Sequence, residues 1–123
     1  MKLFIITMTN KASIYFAYSD INKQFSDRHL RPQITKDEIY KYYMKMCEVS
    51  IPDIVDIKND KAVDEYLDKL FKEFRSQNNP LLKEEHQMII RENKLHTSMG
   101  VGDIIGLEGS FYYLAGYGFG KML

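Results

Sequence analysis

The sequence predicts an α+β domain, a small antiparallel sheet from N- and C-terminal hairpins with about three helices packed on one face. Three observations predict it. Both ends of the chain carry short runs rich in Ile, Phe, Tyr and Leu, of the length and composition of strands. The middle carries apolar residues at helical spacing, most clearly from Val63 to Phe74. Helix-start signals stand where the character changes, at Thr35-Lys36-Asp37-Glu38 and at Asn79-Pro80.

The first hairpin is expected from Leu3 to Met8 and from Ala12 to Tyr18, with Asn10 and Lys11 as its turn. In the second run Ile14, Phe16 and Tyr18 alternate with Ser13, Tyr15 and Ala17, the period of a sheet with one buried face. From Asp20 to Pro32 the pattern vanishes, and a surface loop carrying Arg28, His29 and Arg31 is expected. A capping box at Thr35 and Glu38 then opens a helix running to about Val49, with Ile39, Tyr43 and Cys47 on one face. Pro52 ends it.

The second helix begins after Asp60. Val63, Tyr66, Leu67, Leu70, Phe71 and Phe74 form its apolar stripe, and acidic and basic residues fill the other side. Asn79 caps a third helix with Pro80 as its first residue, running to about Glu92. The tail returns to strands: Val101 to Leu107, a turn at Glu108-Gly109-Ser110, then Phe111 to Leu114. The glycines that follow read as turns and bulges.

With 123 residues the chain fits a single domain spanning 1–123, and 45% apolar residues suffice for a core. Seventeen basic and seventeen acidic residues give a formal net charge of zero. That argues against a nucleic-acid binder's overall basic excess and against an acidic DNA mimic. Cys47 is the lone cysteine, so no internal disulfide is expected. The N-terminal apolar run is too short for a signal peptide, and no segment reaches the ~20 apolar residues of a membrane helix. A reducing cytoplasm is the expected setting.

Chemistry-bearing patterns are sparse. His96, Ser98 and Asp103 contain triad residue types, but Ser98 is on no nucleophile elbow. Ser98 and Asp103 are expected to bond backbone groups at a strand entry, with His96 capping the preceding helix. His29, His86 and His96 form no i, i+4 pair, so no metal site is expected. Gly100-Val101-Gly102 and Gly116 to Gly120 lack the Lys-Ser/Thr ending of a phosphate loop. No catalytic residue and no cofactor is therefore assigned.

The stretch from His96 through Ser98-Met99-Gly100-Val101-Gly102-Asp103-Ile104-Ile105, continuing as Phe111-Tyr112-Tyr113 and Gly118-Phe119 to Leu123, resembles the C-terminal signature of the YodL-like domain family. Gly100 stands where that family usually has Ser. The resemblance implies a small module of phages and mobile elements, in the cytoplasm of a bacterial host, and supplies no catalytic residues.

Nine tyrosines and seven phenylalanines without tryptophan stand out, and most are expected to pack in the core. Tyr40, Tyr42 and Tyr43 point in different helical directions, and Tyr112 and Tyr113 point to opposite sides of a strand. The expected partner-binding set is Arg28, His29, Arg31, Tyr42 and Tyr112, contacting a host or defence-system protein. The expected function is a non-catalytic, protein-binding inhibitor or regulator, with an anti-CRISPR-like anti-defence protein as its specific version. The alternative is a nucleic-acid-binding accessory protein using Lys23 to Arg31. A small hydrolase or nucleotide-processing enzyme ranks last.

Overall fold

The computed structural model describes residues 10–18, 35–75, 79–93, 95, 99, 100, 102–115 and 118–122. The architecture is α+β, as expected. Strands β1 (Lys11–Ala17), β2 (Tyr43–Ser50), β3 (Ile104–Leu107), β4 (Ser110–Ala115) and β5 (Gly118–Lys121) form one antiparallel sheet of order β2-β1-β3-β4-β5. Helices α1 (Ile39–Tyr42), α2 (Asp60–Glu73) and α3 (Glu84–Asn93) lie between β1 and β3 in the chain. Short 3-10 turns at Lys36–Glu38 and Pro80–Leu82 lead into the first and third.

β1 is hydrogen-bonded on both sides, to β2 along Lys11–Ala17 and to β3 along Ala12–Tyr15. Lys11 is the first residue of that strand, not part of a turn. The expected hairpin partner, Leu3 to Met8, lies outside the described residues.

The helix expected from Thr35 to Val49 is corrected. It ends at Tyr42, and Tyr43–Ser50 is a strand. The capping-box carboxylate is in place, with the Thr35 amide donating to Glu38 Oε1 at 3.0 Å, but a cap sets only where a helix starts. The following segment, Tyr43-Met44-Lys45-Met46-Cys47, has no strong local preference, and lateral bonds to β1 decide its state. A bulge between Ile14 and Tyr15 leaves Met46 as the extra residue, so Met46 and Cys47 both serve the helix-covered side.

That side holds the main core. Ala12, Ile14 and Phe16 meet Val63, Leu67, Leu70 and Phe74 of α2, Ile90 of α3, and Ile105 and Leu107 of β3. The stripe on α2 is the one read from the sequence, and the Asn59 side chain caps it by accepting from the Ala62 amide at 3.1 Å. Asn79 caps the next turn through the Leu81 amide at 2.9 Å and donates to the Phe74 carbonyl at 2.9 Å. It thereby satisfies the end of one helix and the start of another.

The opposite face is also apolar, contrary to the expectation of one buried face. Tyr15, Ala17, Ile39, Tyr43, Ile104, Tyr113, Ala115 and Met122 make a second buried cluster there. Two glycines accommodate its rings. Gly106 lies opposite Phe111 and Gly120 opposite Tyr113, and a methyl group at either position would collide with the facing ring. The last strand, β5, was not expected. Its Gly-Phe-Gly composition reads locally as a turn, and only the Tyr113 ring lying over Gly120 gives the small residue a place in a sheet.

Candidate functional site

Asp103 is fully buried where β3 begins. Its carboxylate accepts the Ala17 amide at 2.9 Å and the Gly100 amide at 2.8 Å. Beside it the Tyr43 hydroxyl donates to the Gly102 carbonyl at 2.6 Å. The end of β1, the start of β2 and the entry to β3 are thus tied together by polar groups inside an apolar face. This is the backbone-bonding role expected of Asp103; Ser98 and His96 lie outside the described residues. Burial, then the Asp103 charge, pushes the Tyr43 phenol far above its ordinary range.

Of the expected partner-binding residues, Arg28, His29 and Arg31 lie outside the described residues. Tyr42 and Tyr112 are on opposite faces of the sheet, so no single contact uses both directly. Tyr42 is half-buried on α1, with Lys41 Nζ 5.2 Å from its ring centre. Tyr112 is half-buried beside Asp60, Asp64, Phe119 and Lys121, where burial and then the Asp60 carboxylate raise its phenol.

The most exposed tyrosine of the helical trio is Tyr40, at 70%, against 2% for Tyr43. Ending the helix at Tyr42 sends Tyr43 inward as the first strand residue and leaves Tyr40 outward. Its ring stands edge-on to Tyr15, 6.0 Å between centres and 76° between planes. Phe111 flanks Tyr15 on the other side at 6.1 Å and 60°. The three rings wall a depression of about 410 Å³ whose floor is Gly106. Burial, then a hydrogen bond with Tyr40, pushes the Tyr15 phenol up to about 12, so its hydroxyl is protonated at neutral pH.

The geometry follows from cross-strand neighbours. Glu48, Ser13, Gly106 and Phe111 are successive partners from β2 through β4, and the absent side chain at Gly106 lets the Phe111 ring lie over the strand beside Tyr15. The rim carries both signs: Lys45 bridges Glu48 at 2.9 Å, and Glu108 Oε1 accepts the Lys11 amide at 3.3 Å. The Lys45 contact holds the exposed Glu48 carboxyl below its usual range. The sequence places Tyr15 and Phe111 in strands but assigns neither to a site, because their meeting depends on which strands are adjacent. The available signal was the glycine at 106 opposite an aromatic across a two-residue turn.

Other chemistry is thin among the described residues. No three His, Cys, Asp or Glu side chains are placed to share a metal. His86 is half-buried on α3, and its Nδ1 makes no hydrogen bond. The Cys47 thiol is pushed up to about 11 by burial and then Glu48, which keeps it protonated at neutral pH. Among the described residues no helix is long and apolar enough to cross a membrane.

No family model matches the chain, and no solved structure matches it. It is similar to an uncharacterized protein of Acanthamoeba polyphaga mimivirus, 43% identical over 53 residues. The matched stretch is 43% of this chain and 49% of that protein, so the chain spans about half the length of the curated relative it matches. A viral relative is thereby established.

Proposed function

We propose that this chain is a non-catalytic protein-binding module of viral or mobile-element origin, acting as an inhibitor or regulator through the aromatic depression on its second sheet face. The observation that carries this reading is Tyr40, 70% exposed yet held edge-on against the buried Tyr15. A tyrosine fixed in that way presents contact area with little rotamer entropy left to lose, the property that enriches tyrosine at interface hot spots. The hollow beside it joins aromatic walls to a largely polar lining, where the Lys45–Glu48 ion pair and the Glu108 carboxylate, which accepts the Lys11 amide, offer hydrogen-bonding groups to a partner's polar or amphipathic side chain. The viral relative and the resemblance to YodL-like domains support the origin. The finer version, antagonism of a host defence system, belongs to the same proposal, and so does a contribution from Arg28, His29 and Arg31.

The nucleic-acid alternative is disfavoured at this surface because Lys11 and Lys45 are matched there by Glu48 and Glu108, so the lining carries no cationic excess. Phosphate contacts draw on uncompensated cations. The test is affinity capture from lysates of an amoebal and a bacterial host with wild type and Tyr40→Ala. A target retained by the wild type and lost with Tyr40→Ala, at unchanged melting temperature, is the expected result. Capture unaffected by Tyr40→Ala would place the contact elsewhere. Salt-sensitive oligonucleotide binding without a protein target would favour the accessory-protein alternative.

A further inference from the structure

A second surface, sharing no residue with the Tyr40 depression, carries the largest exposed aliphatic anomaly of the described residues. Ile54 is 90% exposed. It is not a loose loop residue. The Val55 amide donates to the Pro52 carbonyl at 2.9 Å, closing a turn with Ile54 at its tip. Ile51 before the tip is buried, and Val55 after it packs on the main core, so both flanks of the turn are anchored. The fold therefore holds a β-branched side chain out in water, at a cost that burial against another surface would remove.

Beside the knob lies a depression of about 340 Å³ between this turn and α2. Its α2 wall is Ala62, Glu65, Tyr66 and Lys69, a stripe at i, i+3, i+4 and i+7. Tyr66 faces the core, Ala62 leaves room for close approach, and Glu65 and Lys69 are exposed. One turn on, Asp68 and Lys72 form the i, i+4 ion pair at 3.0 Å that this spacing allows. Glu65 and Lys69 have the same spacing and the favourable acid-first order, but they make no ion pair. The patch thus holds an apolar projection, an apolar recess and one free charge of each sign.

We propose that this surface binds a second copy of the chain about a two-fold axis, Ile54 of each copy entering the recess of the other. A patch that carries both halves of its own complement is what an isologous contact requires. Antiparallel approach of the two α2 helices sets Glu65 of one copy opposite Lys69 of the other, and the reciprocal pair follows by symmetry. A partner of different sequence would need a single complementary charge pattern; here the helix supplies both signs in the order that self-pairing uses. The zero formal net charge leaves no overall repulsion between copies.

Sedimentation velocity of the whole chain, from micromolar concentration to about 1 mM, reads the association directly. A reversible monomer–dimer equilibrium is expected. Ile54→Asp should shift the equilibrium to monomer with an unchanged circular-dichroism spectrum, since so exposed a residue contributes little to the fold. Glu65→Lys and Lys69→Glu, each alone, place like charges opposite one another and should weaken the dimer about tenfold. The two together exchange the signs and should restore it. A wild type that stays monomeric throughout, a dimer that survives Ile54→Asp, or a double exchange no tighter than the single ones would each overturn the proposal. Because Tyr40 is on the other face, Tyr40→Ala leaves this equilibrium unchanged, so target binding and self-association fail separately.

Discussion

Asp103 shows how one buried side chain organises several strands. Its two oxygens take amides from β1 and from the segment before β3, and no water replaces them at a fully buried site. Asp103→Ala should therefore cost about 2–6 kcal/mol in urea unfolding, since a buried amide and a part-buried one lose their partner at roughly 1–3 kcal/mol each. A loss below about 0.5 kcal/mol would show that the junction is not closed by this carboxylate. Ionisation supplies a second check. The Tyr15 and Tyr43 phenols are raised from an ordinary value of 10.0. The unfolded chain then releases protons near pH 10 that the folded chain retains, so the unfolded state binds fewer protons and stability falls as pH rises. The contribution is intact below about pH 10 and is lost above it. Cys47, raised from 9.0, begins the decline earlier. Melting temperature should hold level from neutral pH to about 9 and then drop, with a shallower drop in Tyr43→Phe; a level profile to about pH 11 would contradict these burials.

At the level of elements, α2 is the piece whose register the core depends on. Val63, Leu67 and Leu70, with Phe74 at its C-cap, fill one side of it, and two short turns, closed by the Val55 amide on Pro52 and the Asn59 amide on Asp56, connect it to β2. Leu70→Ala should cost about 2–5 kcal/mol, the range for a truncated buried leucine, read from urea unfolding at constant m-value. The hairpin of β3 and β4 turns through Glu108 and Gly109, with φ of 47° and 84°. Two consecutive left-handed residues define the tight turn that suits strand twist, which is why Glu108-Gly109 read correctly as the reversal point in the sequence. The strand β2 read wrongly for the converse reason. Tyr43 and Cys47 fall on one helical face and also suit a strand, and eight residues of mixed preference carry no cap, turn or proline to separate the two.

The whole molecule is tied by its longest connections. β1, near the start of the described chain, is an interior strand of the sheet and pairs with β3, some ninety positions later, while the helices fill the interval. Neither end of the chain can complete the core by itself, since Ile14 meets Ile105 and Ala17 meets Asp103 only after that closure. Removing residues 103–123 should therefore abolish cooperative unfolding altogether rather than trim it. Circular dichroism with a melt would show this, and a retained sharp transition would mean that β1, β2 and α2 form an independent unit. The same closure assembles the aromatic depression, whose walls come from β1, β4 and α1.

By itself the sequence determined the α+β class, the apolar stripe of α2, Asn79 as a cap, the C-terminal hairpin and the backbone-holding role of Asp103. Each rests on contacts within a few residues or on a periodicity that burial imposes. Only the tertiary structure decided that Tyr43–Ser50 is a strand, that the glycine-rich tail adds β5, and that both faces of the sheet are apolar. It also decided that Tyr40, rather than Tyr42, is the most exposed tyrosine of the helical trio. These features depend on lateral neighbours, such as Phe111 over Gly106 and Tyr113 over Gly120, and a strand's neighbours are chosen by the fold as a whole, not by the residues beside it in the chain.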